Sequence, residues 1–170
     1  MMIRRRLERL HEERGFTLIE LVVVMILIAI LAAIALAVFL RQADKGRDTD
    51  IKSDVNNVAR IVQACNAGRQ DPEDYRDCDT KAELGENNIP MDPTPPTAAG
   101  ADCGNGDPGA VAEDQTRVAV SGRDCFVVVG LSKSGNKFWF VKHNDSSVVR
   151  DCTTHGVTGC PTNGRWAGGS

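Results

Sequence analysis

The chain has 170 residues, a formal net charge of −3, 42% hydrophobic and 25% charged residues, one domain's worth of length with average composition. The average hides a segregation: Leu21–Leu40 (LVVVMILIAILAAIALAVFL) is one unbroken apolar run, and the remainder is polar, with 16 Gly, 7 Pro and only 5% aromatics. That pattern argues against a soluble cytosolic enzyme and against a disordered chain, and without a second run of membrane length it argues against a multipass transporter.

The first element is the segment before the run, MMIRRRLERLHEERG, which carries five Arg and three Glu. The second is the run itself. At about 1.5 Å per residue, 20 helical residues cover about 30 Å, the thickness of a bilayer's hydrocarbon core. A secretory signal's apolar region is shorter, about 7–15 residues, so the run reads as a membrane anchor. The arginines ahead of it place the N-terminus in the cytoplasm and the rest of the chain outside. Glu20 stands at the mouth of the run among Phe16, Leu18, Ile19 and Leu21. A carboxylate in a membrane helix is costly and marks a functional candidate unless it reaches the headgroups.

The string Arg14-Gly15-Phe16-Thr17-Leu18-Ile19-Glu20-Leu21, following a basic leader and opening an apolar run, resembles the processing site and N-terminal helix of type IV pilins and type II secretion pseudopilins. The close resemblance covers about residues 1–45. It implies a leader of residues 1–15, cut between Gly15 and Phe16 by a prepilin peptidase, and N-methylation of Phe16. It also implies that Glu20, one helical turn beyond, meets the Phe16 amine of a neighbouring subunit during assembly and sets register, with no catalytic role. Many members of that family carry a proline within the membrane helix. This chain has none from Phe16 to Gln70, so an unbroken helix is expected, with Gly46 as its weakest point.

Residues 16–40 are read as the transmembrane and filament-core helix and 41–66 as its amphipathic continuation. Ile51, Val55, Val58, Val62 and Cys65 recur at spacings of four and three, one stripe of a helix. Ala67-Gly68 supplies a stop. Residues 67–116, rich in Pro, Asp and Gly, read as a loop region stapled by disulfides. Within it DCGNGD (102–107) faintly resembles a calcium loop, but its spacing fits no EF-hand and a simple turn is preferred; no metal site or cofactor is assigned. Strands are expected at 117–121, 124–131, 137–143 and 147–152, an antiparallel sheet over 117–152. The only helix available to cover it is the 51–65 stripe, so the fold is α+β: a long N-terminal helix packed on a three- to four-stranded antiparallel sheet, a pilin-like roll. Residues 153–170 read as a disulfide loop and tail, and Trp139 and Trp166 as packing residues.

All six cysteines (Cys65, Cys78, Cys103, Cys125, Cys152 and Cys160) follow the anchor, which fits disulfides in an exported domain. Six cysteines allow 15 pairings. The set adopted is Cys65–Cys78, Cys103–Cys125 and Cys152–Cys160, the last by proximity, and the others stay open. No catalytic triad, phosphate loop or metal cluster is visible, so the expected role is structural. It is a subunit of a pilus-like filament, held in the bilayer as a single-pass precursor and partnered by copies of itself, the peptidase and an inner-membrane assembly platform. The alternative is a pseudopilin or minor pilin of a secretion or DNA-uptake machine, its head a binding module. Lys133, Lys137, Lys142 and His143 cluster as a nucleic-acid patch would. However, residues 41–170 carry 15 basic and 19 acidic side chains, which opposes steering to phosphate. Asn144-Asp145-Ser146 fits a glycosylation sequon, a pattern common by chance.

Overall fold

The computed structural model describes residues 15–70, 74–98, 103–104, 108–153, 155–156 and 159–166. One α-helix, α1, runs from Leu18 to Ala67 without a break. Gly46 is helical like its neighbours, because no proline removes a hydrogen-bond donor anywhere along α1. The chain divides into two units at Leu40/Arg41.

In the first unit, every described residue is exposed and the helix is apolar around its whole circumference. Its most apolar stretch has a mean hydropathy of 3.4, and by length and composition α1 is able to cross a membrane.

The second unit is a head built on a five-stranded sheet. Its strands are β1 (Thr97–Ala98), β2 (Gln115–Ser121), β3 (Phe126–Leu131), β4 (Lys137–Lys142) and β5 (Val148–Cys152), lying side by side in that order. Strands β2 to β5 form an antiparallel meander, with Val128 of β3 set between Val118 and Phe140. This is the expected α+β arrangement with one addition. Two-residue β1 pairs in parallel with β2, and upstream of it Met91 bridges Thr116, also in parallel. The proline-rich stretch around them is extended, so single residues can pair along the edge of β2 without forming a long strand.

The helical stripe covers one sheet face. Ile51, Val55, Val58 and Val62 are almost fully buried against Val118, Phe126, Val128, Phe138 and Phe140. Gly130 marks the closest approach: a Cβ there would lie 2.8 Å from Ile51 Cγ2 and 2.9 Å from Val55 Cγ2. The other face is also buried, with Val127, Val129, Trp139 and Val141 under Val111 and the half-buried Cys103. Two covered faces explain why β3 reads as a continuous apolar run (Phe-Val-Val-Val) rather than an alternation. It starts two residues later than the sequence suggests, because Cys125 belongs to the turn that Gly122 N–H closes onto the Cys125 carbonyl at 2.9 Å.

A buried carboxylate locks α1 to the head. Asp48 is fully buried, and its Oδ2 accepts from Asn136 Nδ2 and from Gly159 N–H, each at 2.9 Å; Ser134 Oγ donates to its Oδ1. Gly159 is required at this contact, since a Cβ would sit 2.6 Å from Asp48 Cβ. Lys52, one turn on, donates to the Gly159 carbonyl and lies 4.8 Å from the Phe138 ring centroid.

Three disulfides join Cys65 to Cys78, Cys103 to Cys125 and Cys152 to Cys160. The first ties the end of α1 to a short 3₁₀ turn, Tyr75–Asp77, whose Tyr75 ring sits 4.8 Å from Phe126. The last folds the tail back, so that Trp166 meets Phe138 edge-on at 6.2 Å and donates from Nε1 to the Asp151 carbonyl at 2.8 Å. Asp102 and residues 105–107 of the calcium-like stretch lie outside the described residues.

Candidate functional site: the start of the apolar helix

Gly15, Phe16 and Thr17 precede α1 in non-helical backbone. Among the described residues nothing lies within 4 Å of where a Gly15 Cβ would be, so their packing sets no demand for glycine there. Phe16 is 82% exposed.

Thr17 caps the helix. Its Oγ1 accepts the Glu20 N–H at 3.3 Å, which satisfies one of the donors a helix start leaves open, and its carbonyl accepts the Leu21 N–H at 3.3 Å, the first bond of the helical ladder. The sequence reading passed over this residue. The signal was present as Thr17-x-x-Glu20, the spacing of a capping box, in which a side chain at the third helical position lies beside the cap. Glu20 therefore sits in the first turn, where the helix dipole favours negative charge. It is exposed, and among the described residues its carboxylate has no hydrogen-bond or ion-pair partner.

The result is an apolar rod whose only charge between Gly15 and Leu40 is one unpartnered carboxylate one turn from the Gly15–Phe16 bond. A helix apolar on all sides is stable only in lipid or against other apolar helices. The lone carboxylate can accept one cation in that setting.

The residues of the basic cluster in the head are occupied locally. Lys133 pairs with Asp114 at 2.8 Å. Lys142 Nζ donates to the carbonyls of Asp124 and His143 and lies 5.1 Å from the Tyr75 ring, and His143 is buried. Asn144 is exposed at the β4–β5 turn, its Oδ1 accepting the Asp145 N–H at 2.9 Å. Among the described residues no group of three or more His, Cys, Asp or Glu is placed to hold a metal ion.

No curated protein and no solved structure gives a significant match to the chain. Residues 10–36 match the family model of the prokaryotic N-terminal methylation motif, a stretch that contains Gly15, Phe16, Thr17 and Glu20. The chain thus carries at its N-terminal end the class III signal of type IV pilins and pseudopilins.

Proposed function

We propose that the chain is a structural subunit of an extracellular type IV pilus-like filament. The observation that carries this reading is the helix over residues 18–40, apolar and exposed on every side, opened by the methylation motif and interrupted by no charge but Glu20. The precursor is inserted with its N-terminus inside and its head outside. A prepilin peptidase cuts between Gly15 and Phe16. The open space around Gly15 supports this step, since the glycine is then required by the enzyme that reads it rather than by the fold. The cut removes all five leader arginines and frees the Phe16 amine, which methylation keeps cationic. An inner-membrane assembly platform draws the helix from lipid into a bundle of its own kind. There Glu20 meets the Phe16 amine of a neighbour, and an unpaired carboxylate in that apolar setting penalises the wrong register. Such a subunit has a structural role and needs no catalytic group.

Glu20→Ala tests the reading. Membrane insertion and leader removal should proceed, with the mature N-terminus detected as N-methyl-Phe16 by mass spectrometry. Filament yield in sheared fractions should fall at least about tenfold, the loss of one charge pair in a low-dielectric site. Wild-type filament levels from that variant would sink the register role, and an uncut Met1 terminus in functional protein would sink the reading as a whole.

A further inference from the structure

The groove between the head portion of α1 and strand β5 holds two cations that nothing in the described fold neutralises. It encloses about 170 Å³ and is lined by Asn56, Arg60 and Gln63 on the helix side and by Phe140, Val148 and Arg150 on the sheet side. Arg150 is fixed in place. Its Nε donates to Asn56 Oδ1 at 3.2 Å, and its guanidinium lies 5.0 Å from the Phe140 ring and 6.0 Å from the Trp166 ring. Arg60, one turn beyond Asn56, is exposed. Among the described residues neither arginine has a carboxylate at ion-pair distance. Partial burial lowers the Arg150 pKa, and the neighbouring Arg60 charge lowers it further. A stacked guanidinium with its terminal nitrogens unspent, next to a second one, is a pre-organised receptor for carboxylate oxygens.

The opposite flank of α1 carries the reverse charge. Asp50 and Asp54 lie one turn apart, and Asp54 is near Asp114, the residue before β2. Lys133 neutralises Asp114, while Asp50 and Asp54 have no cation partner among the described residues. Burial, followed by the charges of Asp50 and Asp114, raises the Asp54 carboxyl above its usual range. The groove also borders a sheet edge: among the described residues β5 pairs only with β4, and Val148 is 40% exposed at the rim. A free strand edge with an exposed apolar residue suits a protein surface better than a small anion.

We propose that the Arg60–Arg150 groove of one copy receives the Asp50 and Asp54 carboxylates of a second copy, a head-to-head contact within the filament. Two guanidiniums face two carboxylates, so the charges balance. The two patches are different surfaces on different flanks of the helix. The contact is therefore heterologous, and repeating it extends a chain of subunits rather than closing a dimer. The proposal rests on the filament reading and assigns that assembly a lateral contact separate from Glu20.

The test is charge exchange in the full chain, produced with its own assembly machinery. Arg60→Glu and Asp54→Lys should each lower sheared-filament yield at least about tenfold, and the double variant should recover to within about threefold of wild type. Arg150→Gln, which removes the charge and keeps a polar side chain, should act like Arg60→Glu. Leader removal and membrane level should be unchanged in all of them. Single variants that assemble normally, or a double variant no better than the singles, would overturn the contact while leaving the filament reading intact. Normal assembly of Arg60→Glu with lost retention of a carboxylated polysaccharide would assign the groove to a free acid and also overturn it. A wild-type chain that forms no filaments would remove both readings.

Discussion

Asp48 shows how one residue can hold a head to its helix. In the sequence it sits in RQADKGRDTDIKSD, a heavily charged stretch of mixed sign. In the fold it is buried and receives hydrogen bonds from Ser134, Asn136 and the Gly159 backbone, all more than 80 positions away. Its neighbours in the chain carry no trace of those donors, which is why periodicity alone missed it. Removing the carboxylate would take the acceptor from one buried donor, Asn136, and from two half-buried ones, Ser134 and the Gly159 N–H. Asp48→Ala should therefore destabilise the head by roughly 3 kcal/mol, read as a lower denaturant midpoint for the detergent-solubilised chain. An unchanged midpoint would mean that the network is not anchoring α1. At the other end, Thr17 was legible and overlooked: the capping signature stands in plain sequence, eclipsed by the apolar run that follows it.

At the scale of elements, the sheet and helix were written into local patterns and their margins were not. The Ile51, Val55, Val58, Val62 stripe emerges as the buried face of α1, and four strands lie close to where alternation and β-branched runs place them. The extra pairing of β1 and Met91 along β2 was invisible, because proline-rich extended backbone carries no period that names a distant partner. The same distance rule hides a tight contact between helix and sheet. Gly130 reads as one more residue in an apolar strand, yet the helix rests on it within 2.8 Å of an absent Cβ. Both opposing groups are methyls of β-branched residues with little freedom to rotate away. Gly130→Ala should cost about 1–3 kcal/mol by overpacking, despite the gain in strand stiffness, and Gly130→Val should cost more. Thermal melting of the pair against wild type checks the order. A stabilising Gly130→Ala would show that α1 shifts freely over the sheet.

For the whole head, acidity is the condition most able to change stability. Asp92 gathers the Thr94 hydroxyl, the N–H groups of Thr94 and Ala112 and the charge of Arg117, and these hold its carboxyl below the usual range. Asp74, paired with Arg76, is held at about 2. Both groups are more acidic folded than unfolded, where the reference is about 3.9. Their contribution is thus full above that value and lost as pH falls through the folded values. Asp54 and Asp79, raised first by burial, act in the opposite sense and recover a part. The melting temperature should stay level from pH 6 to 8 and drop below about pH 4, and Asp92→Asn should flatten the acid limb. An acid limb unchanged by that substitution would remove Asp92 from the account. The covalent bridges set a different limit on the same head. They join residues 13, 22 and 8 positions apart. Pulled from its ends, the head can lengthen only through the stretches between them, at about 3.5 Å per residue. Under tension it would reach a stop well short of full contour length, and a reductant would move that stop outward.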